Sequence, residues 1–176
     1  MAIQGYDLVG DVHGHADPLH RLLDKLDYTE VEGVFRHPER KMIFVGDFVD
    51  RGPQQREVLR IARSMCEAGV AMAVMGNHEF NAIGWAAQNN DGKFLRSHSE
   101  KNARQQSTFL RQIEEDSSDH QDAVGWFRSL PIWLDLQAIS ASRSTRTRRQ
   151  RCRNQERALP IRLLRQRRCL QGAALR

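Results

Sequence analysis

Three short polar clusters, each following an apolar run, hold the residues that could do chemistry in this chain. They are GDVHG at 10–14, GDFVDRG at 46–52 and GNHE at 76–79. In a parallel sheet, ligands bind beyond the carboxyl ends of the strands. The clusters therefore predict one crevice shared by seven side chains. These are Asp11, His13, Asp47, Asp50, Arg51, Asn77 and His78.

The types of these side chains indicate a site for divalent metal ions. Asp11 and His13 are two residues apart, so on an extended segment they point the same way. A carboxylate oxygen with an imidazole nitrogen suits manganese, iron or zinc better than magnesium alone. Asp47 could join this pair and bridge to a second ion, to which Asn77 offers an amide oxygen. Two ions about 3.5–4 Å apart can hold a hydroxide and clamp the oxygens of an in-line displacement at phosphorus.

Two further roles follow from the same clusters. The guanidinium of Arg51 can fork two hydrogen bonds onto phosphate oxygens. His78, oriented by Asp50, could protonate a leaving alkoxide. Each cluster alone has a plainer explanation, such as a turn, a helix cap or a surface ion pair. Their joint occurrence, in order and each after an apolar run, favours a single site.

The hydrophobic pattern predicts the elements that must position these clusters. Apolar runs bounded by polar residues and glycine predict strands at 6–12, 41–46 and 70–75. Between them lie two stripes of apolar residues spaced as on one face of a helix. An order of strand, helix, strand, helix, strand predicts an α/β fold with a parallel sheet.

The rest of the body is less regular. Residues 80–129 are predicted to be mainly helical, and 131–136 to form a further strand. Trp126 and Trp133 are expected in the core. The remaining histidines are interpreted as surface or helix residues; they are His15, His20, His37, His98 and His120.

The three clusters resemble those of the calcineurin-like metallophosphoesterase superfamily, and the GDxxDRG form resembles its serine/threonine-phosphatase branch, which includes bacterial diadenosine tetraphosphatases. The resemblance covers roughly residues 5–137. It implies an α/β sandwich of two mixed β-sheets flanked by helices, incomplete here at its C-terminal end. It also implies a hydrolase of phosphate monoesters or phosphoanhydrides, acting on a phosphoprotein or a dinucleoside polyphosphate through a metal-bridging hydroxide.

The same resemblance implies a role for each of the seven residues. The ligands of two divalent metal ions (Mn, Fe or Zn) would be Asp11, His13, Asp47 and Asn77. The catalytic residues would be His78, Asp50 and Arg51. Arg51 and Asn77 would also bind the substrate.

The chain departs from the family pattern near residue 137. The pattern continues with two histidines on the second metal, but no histidine follows His120. The ligand set of the first metal is complete, whereas the second keeps only Asp47 and Asn77. We therefore expect an impaired second site. The alternative function is a catalytically impaired fragment that acts as a binding module.

The composition also changes at this place. Residues 138–176 contain 12 Arg, no Lys, no aromatic residue and a single acid, Glu156, for a net charge of +11, whereas residues 1–137 carry −6. We predict a metallophosphoesterase domain at 1–137 and a mostly disordered, Arg-rich tail at 138–176. The tail is either the product of a shifted reading frame or an evolved segment that binds nucleic acid non-specifically. The absence of aromatic residues that could stack on bases favours the shifted frame.

The overall composition excludes several classes of protein. A content of 40% hydrophobic and 28% charged residues is typical of a soluble globular chain. The sequence contains no run of 18 apolar residues, so it predicts no membrane span, and its N-terminus lacks the pattern of a secretory signal. Three cysteines are too few for a disulfide framework. A cytoplasmic location is therefore expected.

Overall fold

The structure, a computed structural model, describes residues 3–136 and the backbone of 162–163. Its larger sheet has four parallel strands, which are β1 (Gly5–Val9), β4 (Arg40–Phe44), β5 (Ala71–Ala73) and β6 (Arg162–Leu163). Their order across the sheet is β5-β4-β1-β6. A second sheet is the antiparallel hairpin of β2 (Thr29–Val31) and β3 (Val34–Arg36).

Five helices accompany the sheets in the described part of the chain. They are α1 (Ala16–Lys25), α2 (Gln55–Glu67), α3 (Asn77–Ala86), α4 (Glu100–Gln112) and α5 (Ser118–Ser129). Each of the three predicted strands is present, somewhat shorter than predicted, and the helices between them lie where the apolar stripes placed them. The expected mixed α/β class is confirmed. Among the described residues the larger sheet is wholly parallel.

The core extends into the loop after β4. Phe44 at the end of that strand and Phe48 in the loop are both fully buried. Their rings lie 5.6 Å apart, and the ring of Phe48 lies 5.3 Å from that of Trp126. Because aromatic burial of this kind is strongly stabilising, the second polar cluster is fixed to the core through its own apolar residue.

Two predictions for residues 131–136 were wrong. Residues 131–136 do not form a strand, and Trp133 is 69% exposed. Pro131 has no N–H to give to a sheet, and its carbonyl accepts a hydrogen bond (2.8 Å) from the backbone N–H of Met75 instead. The β2–β3 hairpin was not predicted, because its strands have only three residues each and little apolar alternation.

We also predicted a disordered tail at 138–176 and an origin for it. Both predictions concern residues outside the described ones, apart from the backbone of β6. This strand pairs with β1, so that Asp7 lies opposite Arg162 and Leu8 opposite Leu163. In the part of the chain that the structure describes, no helix has the length and apolar character needed to cross a membrane.

Candidate active site

The three polar clusters meet at one edge of the larger sheet. Strand β4 lies between β1 and β5, and all three run in the same direction. Val9 pairs with Phe44 and Phe44 with Ala73, so the strands end nearly in line. The loops that follow them therefore emerge side by side, as expected for a ligand site in an open α/β sheet.

Backbone hydrogen bonds join the first two loops. The N–H of His13 donates to the carbonyl of Asp47 (2.9 Å), and the N–H of Gly14 donates to that of Phe48 (2.7 Å). In return, the N–H of Gly52 donates to the carbonyl of His13 (2.8 Å). A Cβ on Gly52 would collide with the carbonyls of His13 and Gly14, so only glycine allows this approach.

Five of the seven predicted site residues have a left-handed backbone. Their φ angles are 55° at Asp11, 46° at His13, 57° at Asp47, 69° at Asp50 and 70° at Arg51. A non-glycine residue in this region costs on the order of 1–3 kcal/mol and persists only where its surroundings enforce it. Such residues concentrate at functional sites, so the strain marks these loops as more than connections.

His13 offers one ring nitrogen to the site. Its Nδ1–H donates to the carbonyl of Val49 (2.9 Å), which fixes the tautomer and leaves Nε2 with a lone pair. Nε2 is buried and has no hydrogen-bond partner among the described residues. Burial lowers the pKa of His13, so its imidazole is held in the neutral form that binds metals.

Two carboxylates, those of Asp11 and Asp47, lie near Nε2 of His13. The Oδ1 atom of Asp11, on a side chain that is 78% exposed, lies 3.6 Å from Nε2 of His13. Ligand atoms of His13, Asp47 and His78 all lie within 4.8 Å of one another. Asp47 is also tied to the third loop, because its Oδ1 accepts the backbone N–H of His78 (3.1 Å). This grouping has the donor types and spacing of a site for one divalent ion.

His78 is held by a buried carboxylate. Its Nδ1–H donates to Oδ2 of Asp50 over 2.6 Å, and Asp50 is only 2% exposed. The hydrogen bond with Asp50 raises the pKa of His78 despite the opposing effect of burial. The ring of His78 lies edge-on to that of His13, with centroids 4.6 Å apart. This arrangement leaves Nε2 as the ring nitrogen of His78 that is not used by Asp50.

Arg51 and Asn77 are exposed at the rim of the same site. The positive charge of Arg51 adds to the effect of burial in lowering the pKa of His13, and it opposes the larger effect of the Asp50 hydrogen bond, which raises the pKa of His78. Asn77 is the first residue of α3 and directly precedes His78. The seven predicted residues thus fall into a candidate metal-ligating group (Asp11, His13 and Asp47), the hydrogen-bonded pair of Asp50 and His78, and an exposed rim of Arg51 and Asn77.

Glu79 has a structural role that the sequence pattern did not reveal. It is fully buried, and its carboxylate accepts three backbone N–H groups, from Asp47 (2.8 Å), Phe48 (2.8 Å) and Gly76 (2.9 Å). Burial raises the pKa of Glu79, and these hydrogen bonds oppose that effect. The carboxylate therefore fastens the loop after β4 to the start of α3. The only available signal was an acid three residues after a helix N-cap.

Replacing Glu79 with Gln should lower the free energy of unfolding by about 2 kcal/mol. The amide has one acceptor oxygen, and its NH₂ would face a backbone N–H that donates to the carboxylate. Urea unfolding measures the change. Glu67→Gln is the matched control, because Glu67 pairs with Arg63 on the surface of α2 and such pairs contribute little. Equal stability of the two variants would contradict the role given to Glu79.

A buried glutamine supports the loop that carries Asp50 and Arg51. The Oε1 of Gln55 accepts the N–H of Asp50 (2.9 Å), and its Nε2 donates to the carbonyl of Gly52 (2.6 Å). Gln112, at the end of α4, accepts the N–H of Gln55 (2.8 Å) through its own Oε1. Neither residue was predicted, and no local pattern in the sequence relates two glutamines 57 positions apart.

His98 and His120, the last two histidines in the sequence, lie apart from the candidate metal-ligating group. His98 is stacked between Trp85 and Phe94, with ring centroids 3.7 and 3.9 Å away. His120 is buried on α5 beside Phe109, and burial lowers its pKa. Neither belongs to the group formed by His13, Asp47 and His78.

The chain is similar to known phosphoesterases. Residues 7–164 match the family model of calcineurin-like phosphoesterases. The chain is 45% identical over 74 residues to the asymmetrical bis(5'-nucleosyl)-tetraphosphatase PrpE of Halalkalibacterium halodurans, which covers 42% of this chain and 30% of the relative. It is 30% identical over 135 residues to the PrpE of Oceanobacillus iheyensis, covering 76% of this chain and 52% of the relative.

Among solved structures, the chain is similar to the cold-active protein-tyrosine phosphatase of a psychrophilic Shewanella species. The TM-score is 0.45 at 27% identity, and the match covers 72% of this chain and 39% of that one. The chain spans about a third to a half of the length of the curated relatives named above. Since the family model extends over most of its residues, the chain belongs to the calcineurin-like phosphoesterase family.

Proposed function

We propose that this chain is a metal-dependent hydrolase of phosphate monoesters or phosphoanhydrides. The observation that carries the proposal is the grouping of His13, Asp47 and His78, whose ligand atoms lie within 4.8 Å of one another beside a buried Asp50–His78 pair. A bound ion would give the buried Nε2 of His13 the partner that it lacks among the described residues, where buried polar atoms are nearly always satisfied.

The donor set fits a divalent ion. His13 would bind it through Nε2, with Asp11 and Asp47 supplying carboxylate oxygens, and Asp47 would be shared with a second ion at Asn77. Manganese, iron and zinc suit this mixture of nitrogen and oxygen donors. When bound, such ions polarise a phosphoryl oxygen and lower the pKa of bound water. The second site has fewer protein ligands among the described residues, so we expect it to bind its ion more weakly.

The remaining residues act on the phosphoryl group and on the leaving group. Arg51 is exposed beside the cluster and would bind phosphate oxygens with its guanidinium fork. Asp50 accepts the Nδ1–H of His78, so Nε2 is the ring nitrogen left for proton transfer. Protonation of the leaving oxygen from that atom would complete the cleavage.

The names of the relatives suggest the substrate. Two of them, from different bacterial genera, are bis(5'-nucleosyl)-tetraphosphatases, which favours a dinucleoside polyphosphate over a phosphoprotein for this chain. A polyphosphate chain also suits Arg51 near two metal positions, because several phosphate oxygens need neutralising at once. We place the enzyme in the cytoplasm, where such nucleotides occur, and regard manganese as its first candidate metal.

Activity and metal content, measured on the same purified full-length chain, test the proposal. We expect hydrolysis of diadenosine tetraphosphate and p-nitrophenyl phosphate with Mn²⁺, loss of both activities in a chelator, and recovery on adding Mn²⁺ back. Elemental analysis should find at least one ion per chain. If no divalent metal supports turnover of either substrate, the proposal is wrong.

The alternative, a non-catalytic binding module with a basic tail, is less well supported. A binding module has no need for the Asp50–His78 pair, and burying the carboxylate of Asp50 carries a desolvation cost that an apolar residue would avoid. One bound ion without turnover would favour this alternative. Salt-sensitive RNA binding that disappears on deletion of 138–176 would assign a role to the tail.

A further inference from the structure

Helix α3 presents an uncovered aromatic ring next to the candidate active site. Phe80 is 68% exposed, although phenylalanine is normally among the most buried residues. It lies three positions after Asn77, so both are on one face of α3 and are separated by about 4.5 Å of helical rise. The ring of Phe80 therefore stands about one turn from the rim of the site.

The far end of the same helix face is covered by a strap, which we define as residues 88–98. The backbone N–H of Arg96 donates to the carbonyl of Gly84 (2.8 Å), and that of Leu95 donates to the carbonyl of Ala87 (2.8 Å). A Cβ on Gly84 would lie 3.3 Å from the Cβ of Arg96, so the strap lies directly on the helix. Gly84 and Ala87 follow Phe80 at helical spacings of four and seven residues.

Aromatic stacking and hydrogen bonds hold the strap in place. His98 is stacked between Trp85 of α3 and Phe94 of the strap, and its Nε2 lies 3.0 Å from the carbonyl of Trp85. The guanidinium of Arg96 donates to Gln105 of α4 (2.6 Å). The strap leaves Leu95 65% exposed at its edge. These contacts fix the strap against Gly84, Trp85 and Ala87, while Phe80 stays exposed.

We propose that Phe80 is a stacking platform for a nucleobase of the substrate. The platform is bounded by Asn77 on the side of the metal-ligating group and by the strap on the other. Every nucleobase has a π-face that can stack on an aromatic ring, whichever hydrogen-bond donors and acceptors the base carries. Its phosphates would extend towards Arg51 and the metal positions. This inference rests on the proposed function, because it assigns the base of the same nucleotide whose phosphates the site binds.

Position and chemistry favour a nucleobase over a protein partner. The apolar residue on the helix face beside the rim of Arg51 and Asn77 is the single ring of Phe80, with Leu95 exposed at the edge of the strap, whereas protein interfaces bury many residues on each side. Scattered exposed apolar residues are common, but this one lies on the same helix face as a proposed substrate-binding residue. The platform would thus add affinity for nucleotides over phosphates that carry no base.

Binding of two ligands that differ only in the nucleoside tests the platform. ATP and inorganic tripolyphosphate would be titrated calorimetrically into the full-length chain, both without added metal and with Ca²⁺. We expect Phe80→Ala to weaken ATP binding about tenfold, because stacking on one base is worth that much. Binding of tripolyphosphate should not change. Phe80→Trp should retain ATP binding, since it keeps a π-face.

Val31→Ala is the matched control, because Val31 is also an exposed apolar residue, on the β2–β3 hairpin. It should bind both ligands as the unmodified chain does. Equal weakening of ATP and tripolyphosphate by Phe80→Ala, no weakening of either, or no ATP binding by the unmodified chain would each overturn the inference.

The result separates the platform from the proposed function. Metal-dependent hydrolysis of p-nitrophenyl phosphate with no effect of Phe80→Ala on ATP binding would leave the function standing and remove the platform. If Phe80→Ala loses ATP binding but keeps tripolyphosphate binding, in a chain that hydrolyses neither substrate, the platform stands and the proposed function is wrong. In an active chain, Phe80→Ala should also raise KM for diadenosine tetraphosphate about tenfold.

Discussion

Replacing Asp47 with Asn should abolish hydrolysis, lowering kcat by at least about a thousandfold. Asp47 has a carboxylate oxygen within 4.8 Å of ring nitrogens of both His13 and His78, and in our proposal it is shared by two ions. A neutral amide in its place removes a negative ligand from both. The measurement is the rate with p-nitrophenyl phosphate at saturating Mn²⁺, together with metal content.

The substitution keeps the contacts that position the loop, because Glu79 binds the backbone N–H of Asp47 and the Oδ1 of an asparagine can still accept the backbone N–H of His78. Asp47→Asn should therefore unfold in urea close to the unmodified chain. Asp24→Asn, at an exposed position of α1, is the matched control and should keep full activity. Retention of activity within tenfold in Asp47→Asn would contradict its role as a metal ligand.

Replacing His78 with Gln should have the second-largest effect, and its size should depend on the leaving group. We expect kcat to fall by roughly 10²–10⁴-fold with an alkyl phosphate, whose alkoxide needs a proton as it leaves. The fall should be much smaller with p-nitrophenyl phosphate, because p-nitrophenolate is a stable leaving group. Steady-state rates with both substrates at saturating Mn²⁺ provide the comparison.

The chain contains a second histidine–carboxylate pair that serves as a control. Nε2 of His20 on α1 lies 3.2 Å from Oε1 of Glu57 on α2, and neither residue belongs to the three polar clusters. His20→Gln removes a comparable pair and should leave both rates unchanged. An equal fall in both rates for His78→Gln would indicate a metal ligand or a positioning residue and would exclude the acid role.

Local patterns were sufficient to predict the parallel strands and the polar clusters at their ends. The run before Asp11 is apolar enough to require burial, and Pro53 and Gly69 bound the helix that returns the chain to the sheet. The family resemblance was equally accessible, because it depends on contiguous residues. Each of these features is carried by neighbours in the sequence.

Other features depend on contacts between distant segments and were not predictable in this way. The pairing of Gln55 with Gln112 arises from the packing of α4 against the start of α2. Trp133 is exposed because no other segment in the described part of the chain packs over most of its side chain. Its sequence neighbours have the apolar character of a strand, so the local pattern predicted burial. The left-handed backbone at Arg51 is imposed by hydrogen bonds between loops, since its own side chain disfavours that conformation.

The location of the site within the first half of the chain has a consequence for synthesis on the ribosome. Strands β1, β4 and β5 are contributed in order, and the residues from Asp11 to Glu79 include every metal-ligating and proton-transfer group proposed above. Synthesis proceeds from the N-terminus, so these loops leave the exit tunnel before the Arg-rich end. A nascent chain of this protein would then expose the proposed metal ligands while it is still being made.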